Sequence, residues 1–200
     1  NHYDHLDKNS VEILGKDSST VWYVPLGLKR WFDELNIKNV IELDWFQERK
    51  LDNVEIICLP SQHWSKRSLF KSFDTLWSSW SLKVGNFKFW FAGDTGYNKI
   101  QFKKIGDEYG PFDLSAIPIG AYEPRWFMKS FHVNPEEAIF IHEDIKSEKS
   151  IGMHFGTFVL TTEPILEPIE KIKSIITNNE NFKGEFMIPE SGVIYSLNKK

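Results

Sequence analysis

Short apolar runs rich in β-branched and aromatic residues, each bounded by turn formers, recur along the chain. They predict strands at Val54 to Leu59, Phe87 to Ala92, Leu114 to Ile119 and Ser150 to His154, and a pair at Glu185–Ile188 and Gly192–Leu197. Val84-Gly85-Asn86-Phe87 reads as the turn that feeds the second of these strands. Helical patterns lie between the strands, at Leu26–Leu35, Pro135–Ile145 and Glu163–Thr177. The middle helix carries its own start signal. Asn134 caps it, Pro135 suits the first helical position, and Glu136 and Glu137 complement the positive helix end. Strands alternating with helices predict an α/β layered fold. No repeat or Gly/Ser-rich linker divides the 200 residues, so residues 1–200 are expected to form one domain.

Composition narrows the function. Apolar residues make up 41% and charged residues 26%, enough to build a globular core. The net charge of −4 argues against a nucleic-acid partner, because phosphate binding wants a basic face. Eight Trp and 16 Phe exceed ordinary use. They read first as an aromatic core, and second as rings lining an apolar channel or a membrane-facing rim. Cys58 is the one cysteine, so no intrachain disulfide forms, and it reads as a small buried hydrophobe with a lean towards a cytoplasmic location. No apolar stretch reaches membrane-spanning length, and no signal peptide is visible. The chain opens at Asn1, without Met, directly on His2-Tyr3-Asp4-His5, which reads as a fragment of a longer protein. A serine hydrolase of the Gly-x-Ser-x-Gly type and nucleotide-binding glycine loops are excluded by the absence of those motifs.

The remaining chemistry concentrates in imidazoles and carboxylates. His2, Asp4 and His5 share the first cluster. His63 follows the strand ending at Leu59, Asp94 lies in Gly93-Asp94-Thr95-Gly96 after another, and His154 ends a third. Open α/β sheets gather ligand sites at the carboxyl ends of strands. Imidazole with carboxylate and no thiolate suits catalytic zinc, and a carboxylate such as Asp94 has two oxygens with which to bridge two ions. In a tight turn, His2, Asp4 and His5 can diverge onto neighbouring metals, which a helix would not allow.

The order His-x-Asp-His, His, Asp, His resembles the metallo-β-lactamase superfamily, whose fuller motif is His-x-His-x-Asp-His. Longer stretches are similar to its N-acyl-phosphatidylethanolamine-hydrolysing phospholipase D family. They include Asn1-His2-Tyr3-Asp4-His5-Leu6-Asp7, Gln62-His63-Trp64-Ser65-Lys66-Arg67, Leu76-Trp77-Ser78-Ser79-Trp80-Ser81, Phe91-Ala92-Gly93-Asp94-Thr95-Gly96-Tyr97 and Ile117-Pro118-Ile119-Gly120-Ala121-Tyr122-Glu123-Pro124-Arg125-Trp126-Phe127-Met128. His132-Val133-Asn134-Pro135-Glu136-Glu137-Ala138 and His154-Phe155-Gly156-Thr157-Phe158 complete the set. The resemblance implies a four-layer αβ/βα sandwich holding two zinc ions. His2 and His63 would hold the first, Asp4, His5 and His154 the second, with Asp94 bridging. The leading His of the motif would stand just before Asn1. The first zinc site is therefore expected to be incomplete, and the first strands of the fold to be missing, leaving an unpaired sheet edge. The implied reaction is hydrolysis of a membrane phospholipid's phosphodiester by metal-activated water, with catalytic roles for Asp4, Asp94 and His132 and peripheral contact with membranes. A soluble hydrolase of lactones or small phosphodiesters, and a metal-poor non-catalytic remnant, are the competing readings.

Other residues are read on both sides. His132 binds phosphate, relays a proton, or merely packs ahead of the helix start. His142, beside Glu143 and Asp144, is expected at the surface. Asp44 either orients a ligand histidine or is a buried turn carboxylate. Lys66 and Arg67 are expected in solvent, with lipid phosphate as the alternative. Trp126, Phe127 and Met128 belong either to the core or to an acyl-chain groove.

Overall fold

The structure, a computed structural model, describes residues 1–68 and 72–197. Its elements in chain order are α1 (Lys8–Leu14), β1 (Trp22–Pro25), α2 (Lys29–Glu34), β2 (Val40–Leu43), β3 (Glu48–Leu51), β4 (Val54–Leu59), β5 (Ser79–Val84), β6 (Phe87–Phe91), α3 (Lys99–Glu108), β7 (Leu114–Pro118), α4 (Arg125–Met128), α5 (Pro135–Asp144), β8 (Lys149–Met153), α6 (Glu167–Asn178) and β9 (Glu185–Met187). β1 and β2 pair in parallel as a small sheet. The other seven strands form one sheet in sequence order, β3 to β9. It is antiparallel from β3 through β6 and parallel from β6 to β9. Parallel neighbours need crossovers, which α3, α5 and α6 supply. α5 packs between α3 and α6 and touches β7.

The main core lies between these helices and the sheet. Trp90, Phe102, Phe112, Ile117, Ile141, Ile145 and Ile172 are buried there. The helices approach closely because Gly106 leaves no room for more: a Cβ there would stand 2.1 Å from the Asp144 carbonyl. A second core joins Val11 of α1, Val24 and Val40 of the small sheet, and Phe32 of α2. The architecture is the expected α/β one, with helices packed on both sheets. The aromatic surplus divides as well: Trp90, Tyr122, Phe32, Phe102 and Phe112 are buried, while Trp126, Phe127 and Phe158 stand in solvent.

Where boundaries depart from expectation, the reasons are local. α2 begins at Lys29, three residues past Leu26, because Gly27 takes a left-handed φ of +88° that no helix continues. α6 begins at Glu167, four residues past Glu163. Pro164 disfavours the helical conformation at Glu163, whose carboxylate is committed to backbone amides of residues 121–123. The expected strand Gly192–Leu197 does not form. Those residues carry no strand assignment and lie exposed. The α5 start matches expectation closely, since Asn134 and Glu137 form a reciprocal capping box with Pro135 in the first turn.

His142 corrects a second expectation. It is 1% exposed, not at the surface. Its Nδ1 lies 2.7 Å from Ser150 Oγ and its Nε2 2.9 Å from the Lys183 carbonyl, with the Phe182 ring tilted against it at a centroid distance of 5.0 Å. A carbonyl only accepts, so Nε2 carries the hydrogen and Nδ1 accepts from the serine hydroxyl. The neutral ring thereby ties α5 to β8 and to the turn before β9. Burial holds the His142 pKa below its ordinary value. A depressed folded-state pKa favours the native state above the unfolded value of about 6.5, and that contribution is lost as pH falls below it. Urea midpoints measured between about pH 7.5 and 5 are expected to fall further for the unaltered protein than for His142→Gln. Equal falls would assign the acid sensitivity to other groups.

Candidate metal centre

β4, β6, β7 and β8 all run the same way, so their carboxyl ends share one edge of the sheet. Four loops leave from there, carrying His63, Asp94, the 119–123 turn and His154. The amino-terminal turn covers the same edge. In it the amides of His5 and Leu6 both donate to the His2 carbonyl, at 3.2 and 2.9 Å, and Asp7 then caps α1. Asn1 fastens the turn sideways: its Nδ2 donates to Thr75 Oγ1 and its Oδ1 accepts from the Lys66 amide. The His63 loop is bound to the Asp94 turn through Gln62, whose amide donates to Thr95 Oγ1 and whose carbonyl accepts from Gly96. Only glycine fits at position 96, where a Cβ would meet the Ser130 carbonyl at 2.5 Å.

These loops bring Asp4, His5, His63, Asp94 and His154 together with His132; His2 lies beside His63, but it is His132 that completes a ligand set with His63 and Asp94, where the sequence expectation had His2. His5 Nε2 lies 2.8 Å from Asp94 Oδ2 and 3.7 Å from Asp4 Oδ2. His154 Nε2 lies 3.5 Å from Asp94 Oδ1 and 3.6 Å from Asp4 Oδ2. On the other side, His63 Nε2 is 4.0 Å from Asp94 Oδ2 and 3.5 Å from His2 Nδ1. Two ligand sets result, Asp4–His5–Asp94–His154 and His63–Asp94–His132, each within metal-binding reach and sharing Asp94. Ligand atoms at ~2.0–2.1 Å from a tetrahedral zinc sit roughly 3.3 Å apart, close to the separations around Asp94. His2 Nε2, Asp94 Oδ1 and His132 Nδ1 are buried without a hydrogen-bond partner among the described residues. The donor set therefore fits a metal, with nitrogen and oxygen donors and polar atoms left for a cation to satisfy.

The electrostatics agree. Burial raises the Asp94 pKa, but the His5 hydrogen bond and the charges of His154, His5 and His132 outweigh it and keep the carboxyl well below its usual range. The hydrogen bond with His154 is the main cause that takes Asp4 down to about 2. Burial depresses His63 to about 4 and also lowers His132 and His2. His154 goes the other way, since Asp4 and Asp94 overcome the effect of its burial. Ionised carboxylates beside imidazoles whose protonation burial disfavours, as at His63, His132 and His2, suit a metal site.

Residues 1–155 match the family described as the Beta-lactamase superfamily domain. The chain belongs to the metallo-β-lactamase superfamily. It is 43% identical to N-acyl-phosphatidylethanolamine-hydrolyzing phospholipase D 1 of Caenorhabditis elegans, over 100% of this chain and 59% of that protein. It is 38% identical to the mitochondrial N-acyl-phosphatidylethanolamine-hydrolyzing phospholipase D of Saccharomyces cerevisiae, over 96% of this chain and 42% of that protein. The chain thus spans about half the length of these curated relatives. A metallo hydrolase from Ignicoccus hospitalis shares the fold, with a TM-score of 0.71 at 20% identity, over 100% of this chain and 77% of that one.

Other candidates settle differently on the superfamily scaffold. Asp44 is exposed and accepts from the Trp45 amide, so it is a turn carboxylate, though not the buried one expected, and no hydrogen bond to a histidine is found for it among the described residues. Lys66 and Arg67 are half-buried, contrary to the solvated expectation. Arg67 lies between the Tyr3 and Trp31 rings and donates to the Asn1 carbonyl, supporting the amino-terminal turn. Trp126 is 86% exposed, and with Phe127 it leaves the core alternative without support. Sequence reading missed the Phe131 carbonyl, 3.0 Å from His63 Nδ1, and the Arg125 guanidinium that donates to the His132 carbonyl. The first is backbone and carries no sequence signal. The second could have been sought in the long motif around Arg125.

Gly120 precedes that turn and abuts His154: a Cβ would come within 2.3 Å of the His154 carbonyl. Gly120→Ala is expected to cost about 1–3 kcal/mol in urea unfolding through overpacking. An unchanged midpoint would show that the loop yields freely.

Proposed function

We propose that this chain forms the metal-binding part of a zinc-dependent phospholipase D-type phosphodiesterase that releases N-acylethanolamine from N-acyl-phosphatidylethanolamine. The observation that carries this reading is the gathering of Asp4, His5, His63, His132 and His154 around the buried Asp94, with His2 beside His63, in a chain 43% identical to an enzyme named for that reaction. His2 and His63 would hold one zinc ion, Asp4, His5 and His154 the other, and Asp94 both. When bound, a zinc pair lowers the pKa of water and draws charge from phosphoryl oxygens.

The protein's own groups supply the rest. His63 is oriented by the Phe131 carbonyl, leaving Nε2 for the site. His132 is held by Arg125 at its carbonyl, and its Nδ1 is free of protein partners among the described residues. Kept neutral by burial, it can take or pass a proton at that atom. Asp4 and His154 also line a cavity of about 200 Å³ with Phe155, Thr157, Phe158 and Leu160. Phe158 is 69% exposed, and Val159 and Leu160 beside it are exposed as well. An apolar lip against the metal ligands suits acyl chains, which gain from removal of their CH₂ groups from water, and has no use for a small polar ester. Among the described residues no helix is long and apolar enough to cross a membrane.

The test uses the full-length protein. Elemental analysis is expected to find two zinc ions per chain, and chelation to abolish release of N-acylethanolamine from vesicles. Asp94→Ala is expected to bring the metal content below two. Phe158→Ser is expected to raise KM for vesicle substrate while leaving hydrolysis of a soluble aryl phosphodiester unchanged. Fast turnover of soluble esters with indifference to vesicles would sink the lipid assignment, and a zinc-free active protein would sink the metal assignment.

A further inference from the structure

We propose that Glu163 is a positioning residue for the metal centre, holding the 120–123 turn against His154 and His132. The proposal rests on the metal-centre reading above. Glu163 lies outside the motif stretches on which the family resemblance was read from the sequence, and among the described residues its hydrogen bonds go to backbone amides of the turn, not to a candidate ligand side chain.

Its carboxylate receives three consecutive backbone amides. Oε1 accepts from Ala121 at 2.6 Å and from Tyr122 at 3.3 Å, and Oε2 accepts from Glu123 at 3.1 Å. Three N–H groups converge on one anion because Ala121 adopts a left-handed φ of +62°, which turns successive amides to one side. That conformation is unfavourable for a residue with a Cβ, so something must hold it, and charge-assisted hydrogen bonds are strong enough to do so.

The turn so fixed touches the site on both sides. Gly120 leads into it and presses on the His154 backbone, which itself has a left-handed φ of +59°. Glu123 leads out of it and accepts from the Arg125 amide at 2.8 Å. Arg125 Nη1 donates to the His132 carbonyl at 2.9 Å and to the Tyr122 carbonyl at 3.3 Å, while Nη2 meets Glu137 at 2.7 Å. Glu163 also ends the segment that leaves His154, so one carboxylate ties the far end of the apolar lip to the turn beneath the site. Tyr122 reinforces this from its other end, donating to Glu167 at 2.6 Å.

The experiment compares the full-length protein with Glu163→Gln and Glu163→Asp. The Gln variant keeps the size but turns an amide N–H towards amide N–H groups, and the Asp variant keeps the charge on a shorter stem. Three measurements apply: hydrogen exchange at Ala121, Tyr122 and Glu123, zinc affinity by chelator competition, and the visible ligand-field spectrum of the cobalt-substituted protein. For Glu163→Gln the expected results are faster exchange at all three amides, zinc affinity weakened about 10–100-fold, and an altered cobalt spectrum. Glu163→Asp is expected to fall between it and the unaltered protein, and serves alone should the Gln variant fold poorly. Ile172→Val, a core change in α6, is the control: it is expected to lower stability and leave zinc affinity and spectrum unchanged. The proposal is overturned if Glu163→Gln keeps unaltered affinity and spectrum, or if Ile172→Val reproduces its losses. Failure of the unaltered protein to bind zinc would instead overturn the metal reading itself.

Discussion

Asp94 is an ionised carboxylate in a place water barely reaches, and the surrounding loops make that tolerable. Burying an unpaired charge costs several kcal/mol, so the group must be compensated or protonated. Compensation comes from imidazoles: His5 at 2.8 Å, His154 at 3.5 Å and His63 at 4.0 Å. Only the first is a hydrogen bond, and the other separations are wide for direct contact, close to those of atoms sharing a cation. Hydrogen bonds within the site thus leave Asp94 Oδ1 unsatisfied among the described residues. The same burial that makes Asp94 expensive keeps His63 and His132 neutral, so one feature prepares both kinds of ligand.

Holding six donors on one point demands a stiff base. The shared direction of β4, β6, β7 and β8 puts every contributing loop on one edge, and the apolar core behind them fixes where those strands end. Beyond the strand ends, glycines at 96 and 120 let backbones approach more closely than any side chain permits. The Gln62–Thr95–Gly96 bonds and the Glu163 carboxylate then lock loops that share no secondary structure. Precision at the site comes from these loop-to-loop contacts more than from the sheet.

What was legible in the sequence follows from range. β4, β6, β7 and the start of α5 are written in runs of neighbouring residues, so local pattern identified them. His63, Asp94 and His154 were legible as candidates because they follow strands, and His2, Asp4 and His5 because three donor side chains stand within four residues. His142 was misjudged because charged neighbours on its helix suggested solvent, while its actual partners, Ser150 and Lys183, come from later elements. The start of α6 was misjudged for a related reason: Glu163 suits a helix, but its carboxylate is claimed by a turn 40 or more residues away. The strand expected over residues 192–197 had the right composition and no ladder to join. Composition expresses a preference for a strand, and pairing has to supply the rest.

Charge balance bears on the choice between substrates. On the proposed ligand set, Asp4 and Asp94 bring two negative charges and the imidazoles none. Two divalent cations would then leave a surplus of positive charge at the bottom of the site, which draws a phosphodiester anion more strongly than a neutral lactone. The lip above it, Phe158 to Leu160, offers exposed apolar area. A ligand that satisfies both carries an anionic group at one end and hydrocarbon close by, as the proposed phospholipid does. Neither feature alone would favour a phospholipid, since many anions suit the first and many apolar molecules the second. Their adjacency, with His154 and Asp4 lining both the metal cluster and the apolar cavity, is what narrows the chemistry.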